Sequence, residues 1–187
     1  MNRLTRYFVA AIIALGATTS CVKEKLETTY NNQESKIDQY INARRNTTVN
    51  GETVTLRVVN NNGSNRLILK EGSGEELNGA GTVAFYYAGY VFNGNKSNAN
   101  LFITNHEETA IAAGWDITDP SYDIYQINMA EAVLIDGLRK GLMGVKQGEH
   151  CEILFSGKYG FGNDTFGIIP VNSALLYEIW VEAVSND

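Results

Sequence analysis

Few side chains in this chain are placed for bond chemistry. The two histidines, His106 and His150, and the two cysteines, Cys21 and Cys151, fall in no metal-ligand spacing, so no metal is expected. Glu107-Glu108 has no acid partner at the spacing that paired carboxylate catalysis needs, and reads as a solvated loop. Asp116, Asp119 and Asp123 lack the interleaved oxygen ligands and the glycine of an EF-hand loop. Cys151 alternates with apolar neighbours and reads as inert core. No phosphate loop, nucleophile elbow or dinucleotide fingerprint is present, and no cofactor is called for. What remains is aromatic. The run Phe85-Tyr86-Tyr87 fits either plain core or the wall of a pocket.

Composition narrows the field. Across 187 residues, 44% are hydrophobic and 19% charged, enough to bury one core of ordinary size. A net charge of −6, with no basic cluster longer than Arg44-Arg45, excludes a nucleic-acid partner held by counterion release. Residues 1–20 read as a leader: Arg3 and Arg6, an apolar stretch from Tyr7 to Leu15, then small residues up to Cys21. That apolar stretch is shorter than a membrane-spanning helix. The ending resembles a bacterial lipoprotein signal, which implies lipidation of Cys21, a membrane partner through that anchor, and residence in the bacterial cell envelope. The alternative is an ordinary secretory signal with Cys21 incidental. Residues 21–50 read as a tether with a short helix, Ile37, Tyr40 and Ile41 recurring at helical spacing, and residues 51–187 as the domain.

Within the domain, the elements that must position any site follow from periodicity. Val54, Leu56 and Val58 alternate as in a half-buried strand. Asn60 to Asn65 supplies residues tolerant of positive φ, which predicts a hairpin into Arg66–Lys70. Thr82 to Phe92 reads as a long strand with Val83, Phe85, Tyr87 and Val91 on one face. Leu134, Leu138 and Leu142 predict a helix from about Glu131 to Met143. Cys151, Ile153 and Phe155 share one face of a further strand, and Leu175, Tyr177, Ile179, Val181 and Ala183 one face of the last. The class is therefore α+β, an antiparallel sheet wrapped around one short helix and preceded by a short helical tether.

In that order, Gly72 to Val184 resembles an FKBP-type peptidyl-prolyl isomerase domain. The residues that carry the likeness are Phe85-Tyr86-Tyr87-Ala88-Gly89-Tyr90, Leu101-Phe102, Val133 to Glu149, Tyr159-Gly160-Phe161-Gly162, Gly167-Ile168-Ile169-Pro170 and Asn172 to Tyr177. The resemblance implies rotation of X–Pro bonds in proline-containing polypeptide clients. It assigns catalysis to Tyr87, Phe102, Ile135 (through its backbone N–H) and Tyr177, and substrate binding to Tyr125, Leu134, Leu138, Phe161 and Ile169. Three positions depart from the family pattern: Leu138 where a Trp floor is usual, Ile103 where an Asp follows the Phe, and Phe161 where a Tyr offers a hydroxyl. Those departures keep open two other readings, a catalytically weak binding module and a structural lipoprotein of an envelope or motility assembly. Residues 104–123 have no counterpart in small members of the family and are expected beside the pocket mouth, carrying partner specificity.

Overall fold

The turn at Asn62-Gly63 shows how local chemistry sets the sheet. Both residues sit at positive φ, 48° and 93°, the pair of left-handed conformations that closes a two-residue hairpin. That hairpin joins β3 (Val58–Asn61) to β4 (Ser64–Lys70), pairing Asn61 with Ser64. The computed structural model of the chain describes residues 3–49, 51–118 and 122–187, with side chains from Val22 onward except that of Val49. The expected leader, its cleavage and the lipidation of Cys21 therefore concern side chains outside the described residues, as does Asp119-Pro120.

A seven-stranded antiparallel sheet runs in the order β3-β4-β8-β9-β5-β6, with β7 also on β5. Here β5 is Thr82–Val91, β6 Leu101–Thr104, β7 Tyr125–Asn128, β8 His150–Phe155 and β9 Leu175–Ser185, and a short helix, α2 (Glu107–Ala112), lies between β6 and β7. A separate hairpin of β1 (Asn46–Val49) and β2 (Glu52–Thr55) pairs across the boundary expected at residue 50. The central strands separate two cores, as their two-residue period requires. On one face Phe85, Ile153, Phe155, Tyr177 and Ile179 pack against the short helix α3 (Asp136–Leu142). On the other, Tyr90, Phe92, Leu154 and Leu176 pack against Ile37, Tyr40 and Ile41 of α1 (Arg3–Arg45).

Two expectations need correction. The helix expected within the 21–50 tether is not short: α1 continues through the polar stretch 22–34, and its last turns are part of the domain. Ile37 is fully buried, and the Tyr40 hydroxyl donates to buried Glu152 at 3.0 Å, with Arg44 at 3.3 Å and Lys96 at 2.8 Å from the same carboxylate. Nor does the late helix begin at Glu131. It spans only Asp136–Leu142, because the Arg139 guanidinium donates to the Met129 carbonyl (2.5 Å) and to that of Ala132, occupying an oxygen that a longer helix would bond internally.

The composition of α3 looks poor for a helix, with Gly137 and Gly141 among seven residues. Close packing explains both. A Cβ at Gly137 would lie 2.2 Å from the Phe155 ring, and one at Gly141 would lie 2.1 Å from Ile153. The glycines let α3 lie flat on β8, while β4 anchors it. The Ser64 hydroxyl donates to the Gly137 carbonyl (2.8 Å), and Arg66 donates to the carbonyls of Gly141, Met143 and Gly144 at 2.8, 2.7 and 3.1 Å. These bonds satisfy the helix's C-terminal carbonyls and fix Leu138 toward the concave face of the sheet.

Candidate active site

Where β5, β9 and α3 meet, an apolar pocket of about 130 Å³ opens, lined by Phe85, Tyr87, Ile103, Tyr125, Leu138 and Tyr177. Alternation on β5 and β9 points Phe85, Tyr87 and Tyr177 inward, β7 brings Tyr125 alongside, and Leu138 of α3 forms the floor. Two pairs meet edge to face, Phe85–Tyr125 with centroids at 5.6 Å and Tyr87–Tyr125 at 5.9 Å, while Phe85 and Tyr87 are tilted at 6.0 Å. Such packing rigidifies a dry wall whose polar groups are confined to hydroxyls.

The hydroxyls of Tyr177 and Tyr87 stay neutral. Burial, and then the neighbouring Tyr87, pushes the Tyr177 phenol well above its ordinary value. Burial also raises Tyr87, helped by Tyr125. Among the described residues, the phenols of Tyr87, Tyr125 and Tyr177 donate to no protein acceptor, and the Ile135 N–H has no backbone acceptor. Ile135 caps α3 with extended backbone, φ −61° and ψ 146°. The site thus combines an apolar wall with a few unspent donors and no group fit to be a nucleophile or base.

Four of the nine residues assigned from the resemblance line the pocket: Tyr87, Tyr125, Leu138 and Tyr177. Phe102 stands behind Tyr177, edge-on at 5.8 Å. Ile169 is buried in the core beneath, while Leu134, Ile135 and Phe161 pack half-buried around that core without lining the pocket. Phe161 instead stacks flat on Phe166, centroids 4.6 Å apart. Phe85 and Ile103 also line the pocket without having been assigned. The shared face of Phe85 and Tyr87 carried the signal for the first.

A further residue had no signal. Between the part of β5 that pairs with β7 and the part that pairs with β6, the edge of the strand has no ladder partner. Buried Asn105 fills the seam. Its Oδ1 accepts from the Tyr87 N–H at 2.6 Å, and its Nδ2 donates to the carbonyls of Asp123 (3.0 Å) and Phe85 (3.4 Å). The Thr104 hydroxyl and the Asn105 N–H both donate to the Tyr87 carbonyl, at 2.7 and 3.1 Å. Both ends of the 104–123 insertion are thereby tied to the strand that carries two of the pocket's rings.

The model of the FKBP-type peptidyl-prolyl cis-trans isomerase family matches residues 74–182, more than half of the chain. The chain belongs to that family. It is an isomerase of X–Pro bonds, and proline-containing polypeptides are its substrates. This FKBP-type chain is 25% identical to FK506-binding protein 1 of Aspergillus oryzae over 117 residues, covering 63% of this chain and 94% of the relative. Solved structures share the fold at lower identity. FkpA from Escherichia coli matches 99% of this chain and 74% of its own, at 18% identity and a TM-score of 0.53. The N-terminal domain of FKBP42 from Arabidopsis thaliana matches 75% of this chain and 99% of its own, at 18% identity and a TM-score of 0.54.

Proposed function

We propose that this isomerase works by holding the twisted X–Pro amide in the pocket between β5, β9 and α3. Amide resonance sets the barrier at roughly 18–20 kcal/mol, and a catalyst lowers it by binding the twisted form more tightly than either planar form. The twisted amide has lost C–N double-bond character and is less polar, so a dry aromatic wall suits it better than water does. The pocket's size supports the reading: about 130 Å³ is close to the ~150 Å³ apolar cavity that takes up benzene, and so suits a single five-membered ring.

In this reading Leu138 supports the ring, while Tyr87, Tyr125 and Phe85 enclose it. The Tyr177 hydroxyl and the Ile135 N–H donate to client carbonyls on either side of the bond. Phe102 backs Tyr177, and Phe161, Leu134 and Ile169 bound the client's flanking residues. The sequence before Val22 adds the location: lipidated at Cys21, the protein acts as a folding helper of the bacterial cell envelope. The observation that carries the catalytic reading is the convergence of six side chains, three of them tyrosines, on one apolar pocket. Its test is turnover of a proline tetrapeptide: Tyr177→Phe is expected to keep the fold and lose about 5- to 20-fold in kcat/KM, the cost of one donor to a buried acceptor. An unchanged kcat/KM would remove Tyr177 from that role. Metabolic labelling with a radioactive or alkyne-bearing fatty acid, lost in Cys21→Ser, tests the anchor.

A further inference from the structure

The strands that build the pocket are free of cations, and α3, which supplies the floor, carries Arg139 and Lys140 just after Leu138. No Lys or Arg occurs between Lys96 and Arg139, nor from Tyr159 to the C-terminus, and β5 carries no charged residue at all. Those stretches supply all six pocket residues. The nearest cations are already engaged. Arg139 donates to the Met129 and Ala132 carbonyls, Lys140 pairs with Asp136 at 2.8 Å, and Lys96 binds Glu152 and Glu178 at 2.8 and 2.9 Å. Lys158 faces α1, lining a groove with Lys23, Glu27 and Tyr30.

The same segments carry acids outside any ion pair among the described residues. Asp123 lies two residues before Tyr125 and Asp164 lies in the loop between Phe161 and Ile169, whereas Glu131 stands between the Met129 and Ala132 carbonyls that hold the Arg139 guanidinium. All three are exposed, and none makes an ion pair among the described residues. Apolar surface accompanies them: Ile103, Ile124 and Tyr125 are 38–45% exposed, and Phe166 and Ile168 are 57% and 75% exposed. A concave apolar site rimmed by one sign of charge focuses its field over roughly a Debye length, about 10 Å at 0.1 M salt, and that reaches several residues either side of a bound proline.

We infer that the preferred clients are proline segments whose flanking residues combine apolar side chains with Lys or Arg, recognised by the apolar rim and the uncompensated Asp123 and Asp164. This rests on the pocket proposed above as the seat of isomerisation, and adds the charge of what enters it. An exposed carboxylate gains little from one exposed cation, but two on separate segments act together on a peptide lying across the mouth.

The test compares three proline peptides identical except for the residues two before and two after the X–Pro pair, which are Lys, Ala or Glu. Isomerisation by the full chain is measured at about 20 mM and about 500 mM salt. The expected order of kcat/KM is Lys, Ala, Glu, with a Lys/Glu ratio of roughly tenfold at low salt that collapses toward one at high salt. In Asp123→Asn/Asp164→Asn the low-salt ratio is expected to fall to about threefold. Because the ratio is taken within each protein, partial loss of fold cancels. Equal rates on all three peptides, or a preference for Glu, overturns the charge selectivity and leaves the pocket assignment standing. Absence of turnover on all three overturns the pocket assignment and this inference with it.

Discussion

Removing the Asn105 side chain should cost more than its place at the start of a surface insertion suggests. Asn105→Ala deletes the acceptor of the Tyr87 N–H (2.6 Å), a donor to the Asp123 carbonyl (3.0 Å) and a longer contact to the Phe85 carbonyl (3.4 Å). A buried N–H left without a partner costs about 1–3 kcal/mol. The Asp123 carbonyl, on an exposed residue, recovers water and adds little, and the 3.4 Å contact is weak at the outset. The sum is about 2–3 kcal/mol, which for a chain of this length lowers Tm by roughly 4–12 °C. The same change loosens β5 at Tyr87, so kcat/KM on a proline peptide should fall at least about tenfold, since small misplacements of a site residue are costly. Asn105→Asp separates the two roles. It keeps an acceptor for Tyr87 but sets a carboxylate against the Phe85 and Asp123 carbonyls, so it should destabilise at least as much as the alanine variant. Urea unfolding followed by tryptophan fluorescence, alongside isomerase kinetics, reads both effects. A loss below about 0.5 kcal/mol with unchanged kcat/KM would refute the assignment of Asn105 as the residue that bridges the seam.

Three other outcomes follow from the same geometry. For Glu178, burial acts to raise the carboxyl, but the hydrogen bond with His150 (3.0 Å) and the charge of Lys96 (2.9 Å) outweigh it and hold the carboxyl below its ordinary value. A depressed carboxyl stabilises the fold above its unfolded value of about 4.3 and loses that contribution as pH falls through the folded value. Glu178→Gln should therefore cost about 2–3 kcal/mol at pH 7 and progressively less below about pH 4, as measured by urea midpoints across pH. Ile37→Ala, at a fully buried position on α1, should cost about 2–4 kcal/mol, whereas a lightly packed tether would give under 0.5 kcal/mol. Gln33 donates to the Asn172 carbonyl (2.7 Å) and accepts from the Gly157 N–H (2.9 Å), bracing the loop that carries Phe161 and Ile169. Gln33→Ala should raise KM by about three- to tenfold while leaving kcat within about twofold, because the bracing acts on the client's flanks.

How much of this was legible depended on whether the determinant was local. The Asn62-Gly63 turn needs only its own φ angles, and the alternation of Leu175, Tyr177, Ile179 and Val181 needs only the strand period. Phe85 and Tyr87 on one face were read from the same rule. The start of α3 was not legible, because it is set by Arg139 reaching back to the Met129 and Ala132 carbonyls, a contact that apolar spacing does not register. The length of α1 and the strength of its hold on the sheet were not legible for a related reason. Its buried face consists of only Ile37, Tyr40 and Ile41 among polar residues, and its hold on the sheet comes partly from groups converging on Glu152 from two distant segments, α1 and the loop that carries Lys96. Asn105 is the extreme case. An asparagine in a polar loop announces nothing, and its importance lies in a gap between β6 and β7 that exists only once the sheet is formed. Gly137 and Gly141, which read as weak points of a helix, are required by contacts with Phe155 and Ile153 that are remote in sequence.

The central claim, that the pocket's rings lower the barrier to X–Pro rotation, is tested most directly by cis–trans exchange of a proline tetrapeptide. It is measured by two-dimensional NMR with catalytic amounts of the full chain and of Tyr87→Ala. The account predicts accelerated exchange with the native chain and at least about a 30-fold smaller acceleration with Tyr87→Ala, while the far-UV circular dichroism of the two proteins coincides. Exchange accelerated equally by both proteins, or peptide binding with no acceleration by either, would contradict it.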